Sequence, residues 1–274
     1  MTHMDETIRV FPRRTKWTPT DELAFIGDPP LFLPENRDIP VRVSVAFTWD
    51  IDEGQRLGRA WSGYFSDVKV GGPAFGDPGG EFVPGRFLKE GVTITSRGCP
   101  NHCPWCHVPG REGPIRELPI HPGWIVQDNN LLACSDAHIE AVFGMLEGQR
   151  RRVFFNGGLD ARLFTERHRE LLDTIRVGEL WFACDHAGAL GQIERIAPIL
   201  DGVPVDKRRC FVMIGYGDET LSQAEQRLET VYSLGFLPFC QLYQDENRKK
   251  WSPDWRALAY KWMRPAAYRK RGAE

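Results

Sequence analysis

Residues 96–107 have the sequence SRGCPNHCPWCH, which places Cys99, Cys103 and Cys106 in a C-x3-C-x2-C spacing. Three of the seven cysteines of the chain therefore fall within eight residues. Thiolates this close together on one loop can ligate three irons of a cubane cluster, and iron–sulfur clusters normally have four cysteine ligands. Because one iron would then lack a protein thiolate, the spacing predicts a [4Fe–4S] cluster with an open coordination site.

Two other interpretations of this loop stay open on spacing alone. A zinc ion could use the three thiolates together with His102 or His107, although tetrahedral zinc sites usually combine two separated half-motifs. The cysteines could also be buried thiols that bind nothing. In a reducing compartment, a cluster of cysteines indicates metal binding more than a disulfide framework.

Length and composition are those of an ordinary globular chain. It has 274 residues, of which 42% are hydrophobic, and its net charge is −2. This length is enough for one large domain with a small appendage. The net charge argues against a uniformly basic nucleic-acid binder. Because we find no apolar run of about 18 residues and no apolar signal region, we expect a cytoplasmic protein without a membrane partner.

The first 90 residues predict an N-terminal arm followed by a short β-α-β extension. Prolines are frequent in residues 1–40, which we therefore expect to form an irregular arm on the surface. Residues 41–49 alternate in hydrophobicity as a strand does, and residues 53–65 have the stripe of an amphipathic helix. With a second strand at 67–72, the pattern predicts a parallel pair joined by a right-handed crossover.

From Gly91 onward, strand and helix patterns alternate, which is typical of a parallel α/β sheet or barrel. Six strands are too few for the usual eight-stranded barrel. We therefore predict a partial (β/α)6 TIM-like barrel over residues 91–247. The strand candidates are Val92–Thr95, Ile125–Asp128, Val153–Asn156, Glu179–Ala183, Cys210–Ile214 and Phe236–Gln241. The helix candidates are Ser135–Glu147, Glu166–Thr174, Ala189–Leu200 and Thr220–Leu234.

The C-x3-C-x-aromatic-C loop after the first strand of an α/β chain resembles the signature of the radical S-adenosylmethionine (SAM) superfamily. The resemblance covers about residues 91–245 and is specific chiefly at the cysteine loop. It implies that Cys99, Cys103 and Cys106 hold a [4Fe–4S] cluster and that Trp105 lies beside the adenine of SAM. It also implies that SAM chelates the fourth iron and that an external electron donor supplies the electron. Cleavage of SAM would give a 5′-deoxyadenosyl radical for hydrogen abstraction from a substrate.

Ligands of parallel α/β proteins bind at the carboxyl ends of the strands, so we expect SAM contacts there. The second strand of the predicted barrel ends in Asp128, Asn129 and Asn130. The superfamily usually has a Gly-Gly-Glu-like motif here that binds the SAM amino group, and this chain departs from it. A carboxylate and two amides could serve instead. The alternative is that Asp128 or Asn130 caps the next helix.

Three further strand ends supply candidate SAM contacts. The third strand ends at Asn156 and is followed by Asp160 and Arg162, which could bind ribose hydroxyls and a carboxylate, respectively. The alternative for the latter two is an ion pair with each other. Asp185 follows the fourth strand and could contact SAM or the substrate. Gly215 follows the fifth strand, at a position that resembles the place where the superfamily packs adenine.

A β-α-β piece ahead of such a barrel is reminiscent of the cobalamin-binding subclass of the superfamily. Here the piece is far too short for a complete domain of that kind. It also lacks the Asp-x-His-x-x-Gly pattern that supplies a cobalamin ligand. We therefore do not predict cobalamin.

The C-terminal tail, residues 248–274, interleaves aromatic residues with nine Lys or Arg and only two acidic residues. Such a segment could bind a nucleic acid, because bases stack on aromatic rings and phosphates pair with cations. We favour an amphipathic helix whose aromatic residues pack on the barrel. For the whole chain, the alternative to a radical SAM enzyme is a zinc-stabilised nucleic-acid-binding protein without catalysis.

Overall fold

The computed structural model describes residues 6–245 and 249–265. Within these two ranges, no helix combines the length and the apolar character that crossing a bilayer requires. The chain divides into two compact units. The first unit consists of Met1–His102 and Cys106–Gly123, and the second consists of Cys103–Trp105 and Trp124–Glu274.

The first unit contains a parallel sheet with a covering helix and a small hairpin. Its strands are β1 (Ile8–Phe11), β2 (Ala24–Ile26), β3 (Val41–Ser44), β4 (Val68–Gly71), β5 (Val92–Thr93), β6 (Ser96–Arg97) and β7 (Arg116–Glu117). Its helices are α1 (Ile51–Ser62), α2 (Val108–Glu112) and the 3-10 segments Thr48–Asp50 and Pro73–Phe75. The sheet has the parallel order β2-β1-β3-β4, while β6 pairs with β7 in antiparallel fashion.

Helix α1 lies close to its sheet because glycines face the strands. A Cβ atom built on Gly54 would lie 2.4 Å from a methyl group of Val45, and one on Gly58 would lie 2.4 Å from a methyl group of Val70. Trp61, on the same stripe of α1, is fully buried. The parallel pairing of β3 with β4 around this helix confirms the predicted strand–helix–strand unit.

The expectation of an irregular surface arm over residues 1–40 is wrong. This segment supplies β1 and β2, and every residue of β1 is buried. The prolines do not prevent pairing because they flank the short strands, as Pro12 does directly after β1. Burial of Arg9 within β1 is compensated by an ion pair with Asp21 and by hydrogen bonds that it donates to main-chain carbonyls.

The second unit alternates strands and helices. Its strands are β8 (Ile125–Val126), β9 (Val153–Phe155), β10 (Val177–Ala183), β11 (Arg208–Ile214) and β12 (Leu237–Leu242). Its helices are α3 (Asp136–Glu147), α4 (Glu166–Asp173), α5 (Leu190–Ile199), α6 (Leu221–Ser233), α7 (Pro253–Met263) and the 3-10 segments Leu131–Ala133, Ala187–Ala189 and Val205–Lys207. The strands pair in parallel in the order β12-β11-β10-β9-β8. The predicted α/β class is confirmed, whereas this strand order does not by itself show a TIM-like barrel.

The sheet of the second unit has a buried face and an aromatic face. Phe182 is fully buried between the rings of Phe164 and Phe236, at centroid distances of 5.4 and 5.8 Å. On the other face, Trp181 stacks on Phe211 at 4.3 Å, and both side chains are only half-buried. The sheet therefore presents a partly accessible aromatic surface opposite its core.

Helix α7 packs on β12 and α6. Trp251 ahead of the helix and Trp262 within it are buried, and Lys261 pairs with Glu225 of α6 at 2.6 Å. The favoured interpretation of the tail, a helix packed through its aromatic residues, is confirmed for Trp251 and Trp262, whereas Tyr260 of the same helix is exposed. Arg248 and residues 266–274 lie outside the described residues.

Candidate functional site

Glycine and a buried carboxylate fix the chain where it enters the cysteine loop. Gly98 has φ of +81°, and a Cβ atom there would lie 2.1 Å from the carbonyl oxygen of Pro114. Its N–H group donates to Oε2 of the buried Glu112 at 3.1 Å. The next N–H group, of Cys99, donates to the carbonyl of Gly113 at 3.1 Å. Only glycine fits this left-handed turn without displacing the backbone opposite.

The loop thiols suit a metal by their chemistry. Cys99 and Cys103 are half-buried, Cys106 is exposed, and all three are free of disulfides. Across residues 6–245 and 249–265, no group of three or more His, Cys, Asp or Glu side chains stands ready to hold a metal ion. A metal centre here would therefore require the three thiols to converge as it binds, which is common because metal binding and local folding are coupled.

Three other cysteines are buried in the sheet and are unsuited to metal binding. Burial raises the pKa of Cys184 to about 11 and that of Cys240 to about 12, and it raises the pKa of Cys210 as well. Because the thiolate is the reactive form of cysteine, these side chains should be inert.

We expect iodoacetamide at pH 8 to separate the two groups of thiols in the native protein. A thiol with a pKa of about 11 is only about 0.1% ionised at this pH, against roughly a quarter for an unperturbed thiol. Peptides containing the half-buried Cys103 and the exposed Cys106 should be alkylated at least roughly 100-fold faster than those containing Cys184 or Cys240, which are buried and almost entirely protonated at this pH. Mass spectrometry of timed samples measures this ratio. Equal labelling rates in the folded protein would contradict the assignment.

Trp105 belongs to a group of side chains at the carboxyl ends of β10, β11 and β12. Its ring lies 5.5 Å from that of His186 and 5.1 Å from that of Tyr216, and Tyr216 contacts Tyr243 edge-on at 4.9 Å. The side chain of Trp105 also lies near enough to the carboxyl group of Asp185 to lower the pKa of that group. We call these five residues the strand-end cluster. It combines aromatic faces with a carboxylate at the edge where parallel sheets bind ligands.

Asp185 is the half-buried carboxyl group of the strand-end cluster. Burial raises its pKa, and the hydrogen bond from the Met213 N–H, together with the charges of Arg227 and His186 and the proximity of Trp105, offsets part of this effect. The Met213 N–H donates to Oδ1 of Asp185 at 3.1 Å. A carboxyl group in this setting can accept hydrogen bonds from a ligand and can hold a proton above the usual aspartate range.

The variant Asp185→Asn should be more stable than the wild type at pH 8, by an amount that shrinks as the pH falls. Because the folded-state pKa is raised, the stability linked to the bound proton is present below the unfolded-state pKa and is lost as the pH rises through the folded-state pKa. Asparagine keeps an acceptor oxygen for Met213, and it has no proton to lose and no charge to bury as the pH rises. Urea unfolding of both proteins between pH 4 and pH 8 measures the difference. A difference that does not change with pH would contradict the raised pKa.

A buried arginine forms hydrogen bonds to the backbone at the carboxyl ends of both β10 and β11. Arg227 of α6 is 3% exposed and donates to the carbonyl oxygens of Cys184 and, at 2.8 Å, Met213. It also pairs with Glu219, whose Oε2 accepts a hydrogen bond from the Gly215 N–H at 2.7 Å. This network satisfies main-chain groups at both strand ends and fixes the backbone that carries Asp185.

Sequence reasoning missed two of these contributions. Tyr216 carries no local signal, because nothing in the sequence of a strand-end tyrosine indicates that it contacts Trp105. Arg227 did carry a signal. It stands on the buried stripe of α6 with Ala224, Leu228 and Val231, where an arginine is unexpected unless it binds buried acceptors.

The predicted contacts Asp160 and Arg162 form an ion pair with each other. Arg162 donates from Nε and Nη2 to the two carboxylate oxygens of Asp160, at 2.8 Å each. Asn130 Nδ2 also donates to Oδ2 of Asp160 at 3.0 Å. The structure thus brings three predicted residues together at the ends of β8 and β9, and it realises the ion pair named as the alternative.

The other predicted residues at these strand ends are Asp128, Asn129 and Asn156. Asp128 is buried, whereas Asn129 and Asn156 are half-buried. Helix α3 is capped by Ser135, whose side chain accepts a hydrogen bond from the His138 N–H. The alternative that Asp128 or Asn130 caps this helix is therefore wrong.

Gly215 lies beneath a tryptophan of the C-terminal segment. A Cβ atom built on Gly215 would lie 2.2 Å from Cη2 of Trp251, and the φ of Gly215 is +79°. The indole N–H of Trp251 donates to the carbonyl of Tyr243 at 2.9 Å. The position that the resemblance assigns to adenine packing is thus covered by a protein side chain in this structure.

No protein-family model matches the chain, and no curated protein shows significant sequence similarity to it. The case for a function therefore depends on the cysteine spacing and on the geometry of the strand-end cluster.

Proposed function

We propose that this protein is a radical SAM enzyme. The observation that carries the proposal is the position of Trp105. This residue directly precedes Cys106 in the C-x3-C-x2-C loop, and its ring lies against Tyr216 and His186 at the carboxyl ends of parallel strands. A metal-binding loop that delivers an aromatic residue to this edge suits a cofactor with both a chelating group and an aromatic base.

Different residues would bind the iron–sulfur cluster and SAM. Cys99, Cys103 and Cys106 would hold the [4Fe–4S] cluster, in agreement with their accessibility and freedom from disulfides. When bound and reduced, such a cluster supplies one electron for the cleavage of SAM to methionine and a 5′-deoxyadenosyl radical. Trp105 offers a face to adenine, and Asp185 offers acceptor oxygens to ribose hydroxyls or to the amino group.

The ion pair at the end of β9 would contribute by orienting Arg162 toward a ligand. The guanidinium of Arg162 is 49% exposed, whereas the carboxylate of Asp160 is buried between it and Asn130. A ligand carboxylate could bind the exposed edge of the guanidinium while Asp160 keeps it oriented. Asp128, Asn129 and Asn156 stay candidates for the remaining polar contacts.

A partial (β/α)6 barrel is part of the same proposal. Its support is the parallel order of β8 to β12 and the half-buried aromatic layer on the face opposite the core. In a barrel, that layer would line the interior below the strand ends. Glu179 and Arg209, paired at 3.0 Å and half-buried, would lie near the amino ends of their strands.

Electron paramagnetic resonance of the reconstituted, dithionite-reduced protein tests the proposal. Addition of SAM should change the signal of the reduced cluster, because an iron without a cysteine ligand is open to it. The variant Trp105→Ala should need a higher SAM concentration for the same change. Trp124→Ala, at the amino end of β8, is the matched control and should behave like the wild type. A signal that does not change when SAM is added would contradict the proposal. A colourless protein that retains one zinc would also contradict it and would favour the zinc-stabilised alternative.

A further inference from the structure

The first unit contains a cavity of about 440 Å³ that the radical SAM proposal does not use. All of its lining residues belong to this unit. The volume falls within the range of about 300–1,000 Å³ that is typical of small-molecule sites.

The cavity lies at the carboxyl ends of the strands of the first unit. Its walls include Phe11 at the end of β1, Ser44 at the end of β3 and Gly71 at the end of β4. In the order β2-β1-β3-β4, the chain passes from β1 to β2 on one side and then crosses to β3 on the other. Neighbouring strands whose connections leave in opposite directions form a switch point, and open parallel sheets bind their ligands in the crevice there.

The lining has more positive than negative charges. It contains Arg13, Arg42, Lys69, Arg86 and Arg97 against Asp50, Asp77 and Glu81. Arg13 pairs with the buried Asp50, and Arg42 pairs with an aspartate outside the lining. Arg97 pairs with the buried Glu112 at 3.8 Å, although its Nε is buried without a hydrogen-bond acceptor. Among the described residues, no salt bridge involves Lys69 or Arg86, and both line the cavity. These groups favour an anionic ligand.

Aromatic side chains supply the flat walls of the cavity. Phe11 and Phe82 are buried, whereas Trp17, Phe47 and Phe87 are half-buried and border the cavity. Planar rings of this kind bind a flat heterocycle by stacking.

The glycine turn after β4 leaves backbone at the rim of the cavity. Gly72 has φ of +107°, and a Cβ atom there would lie 2.9 Å from the carbonyl oxygen of Val45. A side chain there would collide with the Val45 backbone, so this turn beside Lys69 and Gly71 requires glycine.

We propose that the first unit binds a mononucleotide, with its heterocycle among the aromatic walls and its phosphate near Lys69, Arg86 and Arg97. This inference does not rest on the SAM site. The chemistry that it requires is a flat ring system joined to one phosphate, and the cations and aromatic rings that line this cavity provide for both parts.

Titration of the full chain with FMN, AMP and UMP tests this proposal, with riboflavin, adenosine and uridine as phosphate-free partners. At least one nucleotide should bind with a stoichiometry of one, and its nucleoside should bind at least 10-fold more weakly. The double variant Lys69→Gln/Arg86→Gln should weaken binding at least 10-fold, and Ala46→Phe, which fills the cavity, should abolish it. Arg59→Gln, an exposed position on α1 outside the cavity, is the control and should bind normally.

The outcomes separate this site from the SAM site. Absence of binding for all three nucleotides at millimolar concentration would overturn the proposal. So would affinity that persists in Ala46→Phe, or a nucleoside that binds as tightly as its nucleotide. Cys103→Ala should keep nucleotide binding, so loss of SAM chemistry and loss of this site are distinguishable. Circular dichroism of Ala46→Phe confirms that the variant is folded.

Discussion

Replacement of Cys103 by alanine is expected to reduce SAM cleavage to the level seen without protein. The proposed cluster has only three cysteine ligands, so the removal of Cys103 leaves two protein ligands for four irons. Iron content after anaerobic reconstitution should fall well below the expected value of about four per chain. Iron and sulfide assays, together with chromatography of 5′-deoxyadenosine, measure both effects on the same sample.

Cys134→Ala is the matched control for this variant. Cys134 is also half-buried and outside any disulfide, but it lies outside the loop, directly before the cap of α3. Its replacement should leave the iron content and SAM cleavage at wild-type values. If Cys103→Ala retained the cluster and the cleavage activity, the assignment of ligands would be wrong.

Gly157→Ala should cost the second unit about 3 kcal/mol or more of unfolding free energy, because the added methyl group has no room. A Cβ atom on Gly157 would lie 2.0 Å from the carbonyl oxygen of Asp128 and 2.8 Å from its nitrogen. Both contacts are with backbone, which cannot move aside as a flexible side chain can. The ends of β8 and β9 would have to separate, which would also break the hydrogen bond between Asn130 and Asp160.

Gly144→Ala is the natural control. Gly144 lies within α3, and a Cβ atom there meets nothing within 4 Å. Alanine in a helix interior is favoured over glycine by up to about 1 kcal/mol, so this variant should be as stable as the wild type or slightly more stable. Urea unfolding followed by circular dichroism compares the two. Equal stability of Gly157→Ala and Gly144→Ala would contradict the close approach of the two strand ends.

Local pattern was enough to find the regular elements of the second unit. Each strand and helix candidate from Ile125 onward is observed, with its ends shifted by at most two residues. Alternation and periodicity are strong signals there because the strands and helices are buried on defined faces. The hydrophobic pattern did not predict the strands within residues 1–40. There, β1 and β2 have only four and three residues and lie between prolines. Such short strands gain their stability from neighbours that are distant in sequence.

The candidate site was likewise predictable only where its residues lie close together in the sequence. The cysteine loop and Trp105 are visible in the sequence because their spacing is local, and Asp160 and Arg162 are close enough in sequence for an ion pair to be foreseen. The indole of Trp251 over Gly215 depends on the return of a C-terminal segment to the sheet. No local pattern contains that information, since it arises from long-range packing.

Anaerobic reconstitution with iron and sulfide, followed by reduction in the presence of SAM, tests the central claim most directly. We predict a brown protein with about four irons per chain that forms 5′-deoxyadenosine and methionine in equal amounts. A colourless protein, or an iron-loaded protein that leaves SAM intact under reducing conditions, would contradict the assignment of this chain as a radical SAM enzyme.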